Sequence, residues 1–218
     1  MALADGVGSW AWVADPDTKH DGKPALFIDR DGVLTQEVHF LRHPKDVALL
    51  PRAAETIGAF NRADICVIVV TNQSGIARGY FSWTDFERVE AEIKRQLSRA
   101  ADAHLDAVFA CGYHESGHGA LGVCDHAWCK PNPGMLLAAA DRLGVRLDLS
   151  WVVGDRARDL ESGRAAGLAG GIHVMTGHGN VDEQRSALML AQPDFRVRPA
   201  TDLSDAVQLL DLMTGATS

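Results

Sequence analysis

The chain has 218 residues, of which 46% are hydrophobic and 23% are charged, and its formal net charge is −8. This composition is typical of a globular protein with the length of one α/β domain, and the negative charge argues against a nucleic-acid partner. The sequence shows neither a signal peptide nor an apolar run near the ~20 residues that span a bilayer. It therefore predicts a cytoplasmic protein without a membrane partner.

Residues 1–24 show no clear hydrophobic period. We expect them to form an arm that packs across the domain through Trp10 and Trp12, and disorder of the first few residues is the alternative. The remaining residues, 25–218, are expected to fold as a single domain.

The apolar run Ala25–Ile28 predicts a short buried strand, which is followed by two aspartates one residue apart, Asp29 and Asp31, and then by Gly32. Residues i and i+2 of an extended chain share a face, so the two carboxylates can converge on one point. One can then act as a nucleophile and the other as a proton donor, with Mg²⁺ between them. A solvated turn is the alternative reading of this motif taken alone.

The rest of the chain alternates between strand and helix patterns, after a flap over the strand ends at residues 33–50. Further strands are predicted over residues 65–70, 107–110, 151–153, 171–175 and 195–197. Helices are predicted over residues 52–62, 82–103, 133–143, 157–166, 182–191 and 201–213. This alternation predicts a parallel sheet with helices on both faces.

Polar segments follow three of the predicted strands. They are Thr71-Asn72, then Lys130-Pro131 beyond a loop, then Gly154-Asp155 with Asp159 close behind. The carboxyl ends of parallel strands face one crevice, where ligands bind in α/β sheets. We therefore expect these groups to meet the two aspartates of the first strand.

These four motifs, in this order, resemble the haloacid-dehalogenase-like (HAD) phosphatase superfamily over about residues 25–175. The resemblance implies a Rossmann-like fold, Mg²⁺ as cofactor and hydrolysis of a phosphate ester through an aspartyl-phosphate. Dehalogenases of the superfamily lack the second aspartate, so Asp31 indicates phosphate chemistry.

The resemblance also implies a role for one or more residues of each motif. Asp29 attacks phosphorus, and Asp31 protonates the leaving group and then takes a proton from water. Thr71 and Lys130 hold and neutralise the phosphoryl group. Mg²⁺ is held by Asp29, Asp155 and the backbone carbonyl of Asp31.

The spacing of the motifs leaves no room for a large cap domain. A flap, a helix and a strand fill the segment from Asp31 to Thr71. A helix, a strand and a short loop rich in cysteine and histidine fill the segment from Thr71 to Lys130. We expect an open site that only loops shield.

The segments Thr71–Gly79 and Lys130–Leu136 resemble, more narrowly, the D-glycero-D-manno-heptose 1,7-bisphosphate phosphatases and the related histidinol-phosphatases. In that family two segments that match the flap and the end of the second strand contact the substrate. The residues so implied are Glu37, Val38, His39, Phe40, Asn72, Gln73 and Ser74. Arg78 and Arg156 are candidates for binding a remote second phosphate, and a structural salt bridge is the alternative for Arg78.

Three of the four cysteines lie among histidines before Lys130, which suggests a metal rather than disulfides. The same family often carries a structural zinc in this loop, and tetrahedral zinc needs four ligands. The candidates are Cys111, His114, Cys124, His126 and Cys129. We expect Cys111 and Cys124 with two of the others, and a metal-free loop with free thiols is the alternative. Cys129 also stands where the family commonly has an arginine that recognises the sugar phosphate.

The sequence thus predicts a monomeric phosphatase of a small phosphorylated metabolite, a sugar bisphosphate cleaved at its C7 phosphate, with histidinol phosphate as the alternative. A nucleic-acid 3′-phosphatase has a similar Thr-Asn-Gln segment, but the charge of −8 and the lack of a Gly-x-x-x-x-Gly-Lys loop argue against it. A non-catalytic binding protein on the same fold is a third possibility, which the four intact motifs disfavour.

Overall fold

The protein is described by a computed structural model that covers residues 2–210 and 213. Its strands are β1 (Ala2–Leu3), β2 (Ser9–Val13), β3 (Ala25–Ile28), β4 (Cys66–Asn72), β5 (Ala107–Cys111), β6 (Trp151–Gly154), β7 (Gly170–Val174) and β8 (Arg196–Ala200). They form one eight-stranded sheet in the order β1-β2-β5-β4-β3-β6-β7-β8. Strands β3 to β8 are paired in parallel, whereas β2 is antiparallel to both of its neighbours.

Helices cover both faces of the sheet. They are α1 (Ala53–Arg62), α2 (Ser74–Ala77), α3 (Trp83–Ala101), α4 (Gly134–Leu143), α5 (Ala157–Ala166) and α6 (Val181–Leu188). Apolar residues of α1 and α3 pack in one core layer, and those of α4, α5 and α6 pack in the other. The predicted α/β architecture, a parallel sheet with helices on both faces, is confirmed.

Side-chain alternation along β3 connects the two core layers. Leu26 and Ile28 belong to one layer and Ala25 and Phe27 to the other, and all four side chains are fully buried. Successive residues of a strand point to opposite faces, and a strand buried on both faces therefore appears in the sequence as a continuous apolar run. This central position fixes the end of β3, where the two aspartates follow.

The segment before β3 contains two strands that the sequence analysis did not predict. Strand β2 pairs along its whole length with β5, with Trp10 opposite Ala110. Trp10 is buried and packs edge to face against Phe86, with the ring centroids 5.0 Å apart. The short Ser-Trp-Ala-Trp-Val run has the period of two that strands show, but glycine and aspartate surround it.

The last predicted helix differs from the structure. A 3₁₀ helix spans Leu203–Leu209, and the side chain of Asp202 accepts the hydrogen bond from the Ser204 backbone N–H at its start. Residues 211 and 212 of the predicted helix lie outside the described residues. Among the residues that the structure describes, no helix is long and apolar enough to cross a membrane.

Candidate active site

The carboxyl ends of β3, β4 and β6 open into one cavity of about 680 Å³. This volume is typical of clefts that bind small molecules. The polar segments predicted to meet at the strand ends all contribute side chains to its lining. These side chains include Asp29, Asp31, Thr71, Asn72, Gln73, Ser74, Lys130 and Asp155.

The ammonium group of Lys130 lies at the base of the cavity. Its Nζ is 2.8 Å from Asp29 Oδ1 and 2.7 Å from Asp159 Oδ1, and it donates a hydrogen bond of 2.9 Å to the Val70 carbonyl. Burial opposes the charge of Lys130, but the carboxylates of Asp159 and Asp29 outweigh it and raise the lysine pKa above its ordinary value. The lysine therefore remains a cation although it is only 4% exposed.

Three carboxylates share this region. Asp29, Asp155 and Asp159 each place an oxygen within 4.8 Å of the others. Burial, followed by the charges of Asp29 and Asp159, raises the pKa of Asp155 to about 8, and burial also raises the pKa of Asp29. One lysine cannot neutralise three carboxylates, and carboxylate oxygens are the ligands that Mg²⁺ prefers. The donor set therefore fits a magnesium ion.

Gly32 permits the close approach of the chain to this cluster. Its φ of 83° lies in the left-handed region, and a Cβ atom at this position would be 2.4 Å from Asp155 Oδ2. Any larger residue would displace that carboxylate. The glycine after the second aspartate is thus required by the site as well as by the turn.

The Asp31 side chain has a different partner from that of Asp29. Arg30 donates from Nε to Asp31 Oδ1 at 2.9 Å and from Nη2 to Oδ2 at 2.7 Å. The same guanidinium, 1% exposed, donates from Nη1 to Glu90 Oε1 at 3.1 Å, and its carbon lies 5.2 Å from the centre of the Phe86 ring. Gln73 Nε2 also donates to Asp31 Oδ2, at 3.0 Å. This network fixes the orientation of the Asp31 carboxylate.

The sequence analysis missed Arg30 and Glu90. A signal for Glu90 was present, because it lies on α3 four residues after Phe86 and three before Ile93, on the face that is otherwise apolar. A charged residue on such a face needs a buried partner of opposite charge. The partner itself could not be read from the sequence, since Arg30 is 60 residues away.

The side chains at the end of β4 form hydrogen bonds with other residues of the site. Thr71 Oγ1 accepts a hydrogen bond of 2.9 Å from Gln73 Nε2. The Asn72 amide bonds twice to the backbone of Lys130, donating to its carbonyl and accepting from its N–H, both at 3.0 Å. Asn72, predicted to contact substrate, thus holds the lysine segment in place in this structure.

The flap brings its predicted residues to the cavity. All four line it: Glu37, Val38, His39 and Phe40. Burial, followed by the charges of Asp31 and Asp29, raises the pKa of Glu37 to about 7. Glu37 Oε1 is 3.6 Å from His178 Nε2, on the loop after β7. The flap and that loop therefore meet at the mouth of the cavity.

Three arginines reach the cavity lining: Arg78, Arg156 and Arg158. Arg78 Nη2 lies 3.1 Å from His114 Nε2, and its buried Nε has no hydrogen-bond partner among the described residues. Within residues 2–210, no carboxylate forms an ion pair with Arg78, so the structural salt bridge considered from the sequence is not found.

The cysteine loop differs from the prediction. Cys111 and Cys129 form a disulfide, where the sequence suggested a metal rather than disulfides. A nitrogen of His126 lies within 4.8 Å of both sulfurs. Cys124 is an exposed free thiol, and neither it nor His114 belongs to this group. Cys124, expected to bind zinc together with Cys111, therefore lies outside the group that the structure brings together.

The register of the sheet explains which cysteines meet. Cys111 ends β5 directly opposite Asn72 at the end of β4. Asn72 in turn binds the backbone of Lys130, which carries its neighbour Cys129 to the end of β5. The pairing of Cys111 with Cys129 thus follows from the contact between the Asn72 side chain and the Lys130 backbone, which the spacing of the cysteines in the sequence does not encode.

Comparison with known proteins agrees with this geometry. Residues 127–206 match the family described as HAD-hydrolase-like. A D-glycero-β-D-manno-heptose-1,7-bisphosphate 7-phosphatase of Mesorhizobium japonicum is 43% identical over 187 residues, which are 86% of this chain and 81% of that protein.

Two solved structures share the fold at high similarity. A protein described as a HAD-like phosphatase of Mesorhizobium loti has a TM-score of 0.85 and 38% identity, over 100% of this chain and 99% of its own. The D,D-heptose 1,7-bisphosphate phosphatase of B. bronchiseptica, complexed with magnesium and phosphate, has a TM-score of 0.71 and 32% identity, over 86% of this chain and 97% of its own.

The fold and the site define a hydrolase of the HAD superfamily, and the enzyme is a phosphatase. Within that superfamily the chain belongs to the family of the heptose-1,7-bisphosphate 7-phosphatases. Magnesium is the metal bound by its B. bronchiseptica relative, and the carboxylate cluster described above fits the same ion.

The carboxylate cluster makes Mg²⁺ binding dependent on pH. An acid whose pKa is raised in the folded state stabilises the fold below its ordinary pKa, near 3.8 for Asp155, and loses that contribution as the pH rises through about 8. Metal binding needs the deprotonated carboxylates. We expect the melting temperature without metal to fall, and the increase caused by Mg²⁺ to grow, between about pH 6 and about pH 8.5.

Thermal unfolding with and without Mg²⁺ measures this effect, and Asp155→Asn is the matched variant. The amide does not titrate, so the variant should lose most of the growth of the Mg²⁺ effect with pH. An equal Mg²⁺ effect at both pH values in the parent protein would contradict the assignment of Asp155 to the metal site.

Proposed function

We propose that the enzyme is a Mg²⁺-dependent phosphomonoesterase that removes the C7 phosphate of D-glycero-D-manno-heptose 1,7-bisphosphate. The observation that carries the chemistry is the contact of 2.8 Å between Lys130 Nζ and Asp29 Oδ1 at the base of an open cavity. The names of the relatives support the choice of substrate. Residues 25–218 act as a single catalytic domain with residues 1–24 as its arm, and the enzyme is a cytoplasmic monomer that binds no nucleic acid.

The reaction proceeds in two displacements. An oxygen of Asp29 attacks phosphorus, forming an aspartyl-phosphate as the bond to the sugar oxygen breaks. Asp31 gives its proton to that oxygen and afterwards takes a proton from the water that hydrolyses the aspartyl-phosphate. Lys130 and the Thr71 hydroxyl hold the phosphoryl oxygens and offset their charge.

Asp29, Asp155 and the backbone carbonyl of Asp31 would hold the magnesium ion. When bound, it supplies positive charge that stabilises the transferring phosphoryl group and keeps the nucleophile ionised. Asp159 acts mainly through Lys130, because its Oδ1 lies 2.7 Å from the ammonium. Asp159 therefore positions the lysine beside the nucleophile.

The pairing of Arg30 with Asp31 orients the carboxyl group that acts as the acid. A guanidinium that grips both carboxylate oxygens fixes the plane of the carboxyl group, and Gln73 connects it to Thr71. Glu90 provides a second carboxylate for the buried guanidinium, at Nη1. The network thus couples the proton donor to a residue of the phosphoryl site.

Arg78 is the best candidate for binding the remote phosphate. The nearby imidazole of His114 already accepts at Nδ1 from the Ser116 N–H, at 3.0 Å. A neutral imidazole has only one acceptor nitrogen, so it cannot also accept from Arg78 at Nε2. The guanidinium therefore has donors without acceptors beside the cavity, and a phosphate would satisfy them. The family commonly has an arginine at the position of Cys129, which is here part of the disulfide. Arg78 and Arg156 supply the positive charge that this position lacks.

We also propose that the reduced enzyme binds one structural zinc. Two sulfurs and one imidazole nitrogen, from Cys111, Cys129 and His126, are a donor set that zinc prefers. Cys124 is the remaining thiol of the loop and the candidate for the fourth ligand. The disulfide excludes this zinc, because the ligands are thiolates.

The substrate proposal predicts a selective effect of Arg78→Ala. Losing a charge-assisted contact of about 1.5–3 kcal/mol corresponds to a loss of about 10- to 150-fold. We expect kcat/KM for heptose 1,7-bisphosphate to fall by this factor and that for heptose 7-phosphate to fall much less. Arg42→Ala, an exposed arginine bonded to the Tyr80 carbonyl, is the control. Equal losses on both substrates, or faster hydrolysis of histidinol phosphate by the parent enzyme, would overturn the proposal.

The same assay tests the chemistry separately. Asp29→Asn should abolish turnover of every phosphate ester while leaving the fold intact, because an amide is a poor nucleophile. Melting curves provide the control for folding. Turnover within about tenfold of the parent would show that Asp29 is not the nucleophile.

Arg30→Lys tests the pairing with the acid. Lysine keeps the charge beside Glu90 but cannot grip both oxygens of Asp31. We expect turnover of an alkyl phosphate to fall by about 10²-fold, at the low end of general-acid contributions, and that of an aryl phosphate with an acidic leaving group to fall less. Arg95→Lys is the matched control, since Arg95 grips Glu92 with two bonds on the exposed side of α3. Equal losses of turnover with the alkyl and the aryl phosphate would argue that Arg30 does not act through Asp31 as the acid.

Metal analysis tests the zinc proposal. Reduction of the disulfide before zinc is added should increase the zinc content by one per chain relative to oxidised protein. Cys111→Ser and Cys124→Ser should each lose this increase, whereas His118→Ala, an exposed histidine of the same loop, should keep it. No increase on reduction would favour a loop held by the disulfide alone.

A further inference from the structure

A second group of potential metal ligands lies at the amino ends of β4 and β5, at the end of the strands opposite the active site. His20, Cys66 and Asp106 each place one ligand atom within 4.8 Å of the others. Cys66 is the first residue of β4, whereas Thr71 near its other end lines the catalytic cavity. Five residues of strand separate the two places by about 17 Å, so this group is distinct from the catalytic site.

Two imidazoles approach one carboxylate oxygen of this group, and one of them, that of His104, lies outside the group itself. His20 Nε2 and His104 Nε2 each lie 3.7 Å from Asp106 Oδ1. This distance is too long for a hydrogen bond. Zinc bound to nitrogen or carboxylate oxygen at about 2.0–2.1 Å places two tetrahedral ligands about 3.3 Å apart. The ligand atoms of His20, Cys66 and Asp106 lie within 4.8 Å of one another, and a contraction around a cation would therefore complete a site of three ligands.

The backbone around Asp106 fixes the carboxylate that the imidazoles share. The Asp106 N–H donates to the Val67 carbonyl at 2.9 Å, and the Ala14 N–H donates to the Asp106 carbonyl at 2.8 Å. The second carboxylate oxygen, Oδ2, accepts from the Val67 N–H at 2.7 Å. A hydrogen bond of this kind to the outer oxygen orients a metal-binding carboxylate.

The histidines come from separate segments that this carboxylate joins. His20 follows β2, and its backbone N–H donates to the Leu143 carbonyl at 2.7 Å. His104 precedes β5, and its backbone N–H donates to Asn61 Oδ1 at 2.9 Å. The His20 and Asp106 side chains are 15% and 12% exposed, and that of His104 is 62% exposed. Solvent therefore reaches a largely preformed pair of ligands from the side of His104.

We propose that His20, Cys66 and Asp106 bind a divalent cation of the zinc class at this end of the sheet, with His104 as a fourth group in reach. Thiolate sulfur, imidazole nitrogen and carboxylate oxygen are all zinc ligands, and three protein ligands leave a position open. Such an ion would tie the segment before β3 to the starts of β4 and β5. It has no part in the phosphatase reaction.

Titration with zinc tests this site when the two other candidate metal sites are blocked. Oxidised protein keeps the disulfide intact, so the cysteine loop offers no thiolate pair, and excess Mg²⁺ occupies the catalytic carboxylates. Calorimetry with Zn²⁺ should then show one site per chain. His20→Ala and His104→Ala should each weaken binding by at least about tenfold.

The control is His43→Ala, which removes an exposed histidine outside the group and should bind zinc like the parent protein. Melting curves without zinc show that each variant is folded, and His104→Ala is the safer one because its side chain is largely exposed. The proposal is overturned if the parent protein takes up no zinc under these conditions, or if both variants bind it as tightly as the parent.

Discussion

The buried ammonium of Lys130 is the contact on which the site depends. It offsets two carboxylates, Asp29 and Asp159, in a region where a third, Asp155, is also buried. Removing one partner of a buried ion pair costs about 3–5 kcal/mol, because an uncompensated charge remains. Asn72 fixes the backbone of this lysine to the end of β4. The lysine segment thereby joins the residue after β3, the end of β4, the first turn of α5 and the cysteine loop in one arrangement.

Two cations pair separately with two neighbouring aspartates. Asp29 is paired with Lys130 and Asp31 with Arg30, so the carboxylates one residue apart do not share a charge partner. Carboxylates divide the roles of nucleophile and acid when their surroundings differ. Here the surroundings of the two aspartates differ because of the residue between them. The Arg30 side chain points toward α3, where Glu90 is buried, whereas both aspartates line the cavity.

The sequence predicted the contacts that follow from sheet geometry alone. Asp29, Thr71 and Asp155 meet because they lie at the carboxyl ends of β3, β4 and β6 in a parallel sheet, and their convergence needs no knowledge of side-chain packing. The disulfide of Cys111 was not predicted, because it depends on the register of β4 against β5 and on one amide contact. The pairing of Arg30 with Glu90 was missed for the same reason, because it depends on how α3 packs against the sheet.

Specificity in this enzyme must come from loops, because the described chain inserts no domain between the strands that carry the site. The flap contributes Glu37, whose pKa is raised by its burial and then by the charges of Asp31 and Asp29 at the mouth of the cavity. A phosphate entering this negative field needs cations ahead of the catalytic lysine. Arg78 is the residue proposed to meet that need, because its buried Nε has no hydrogen-bond partner among the described residues.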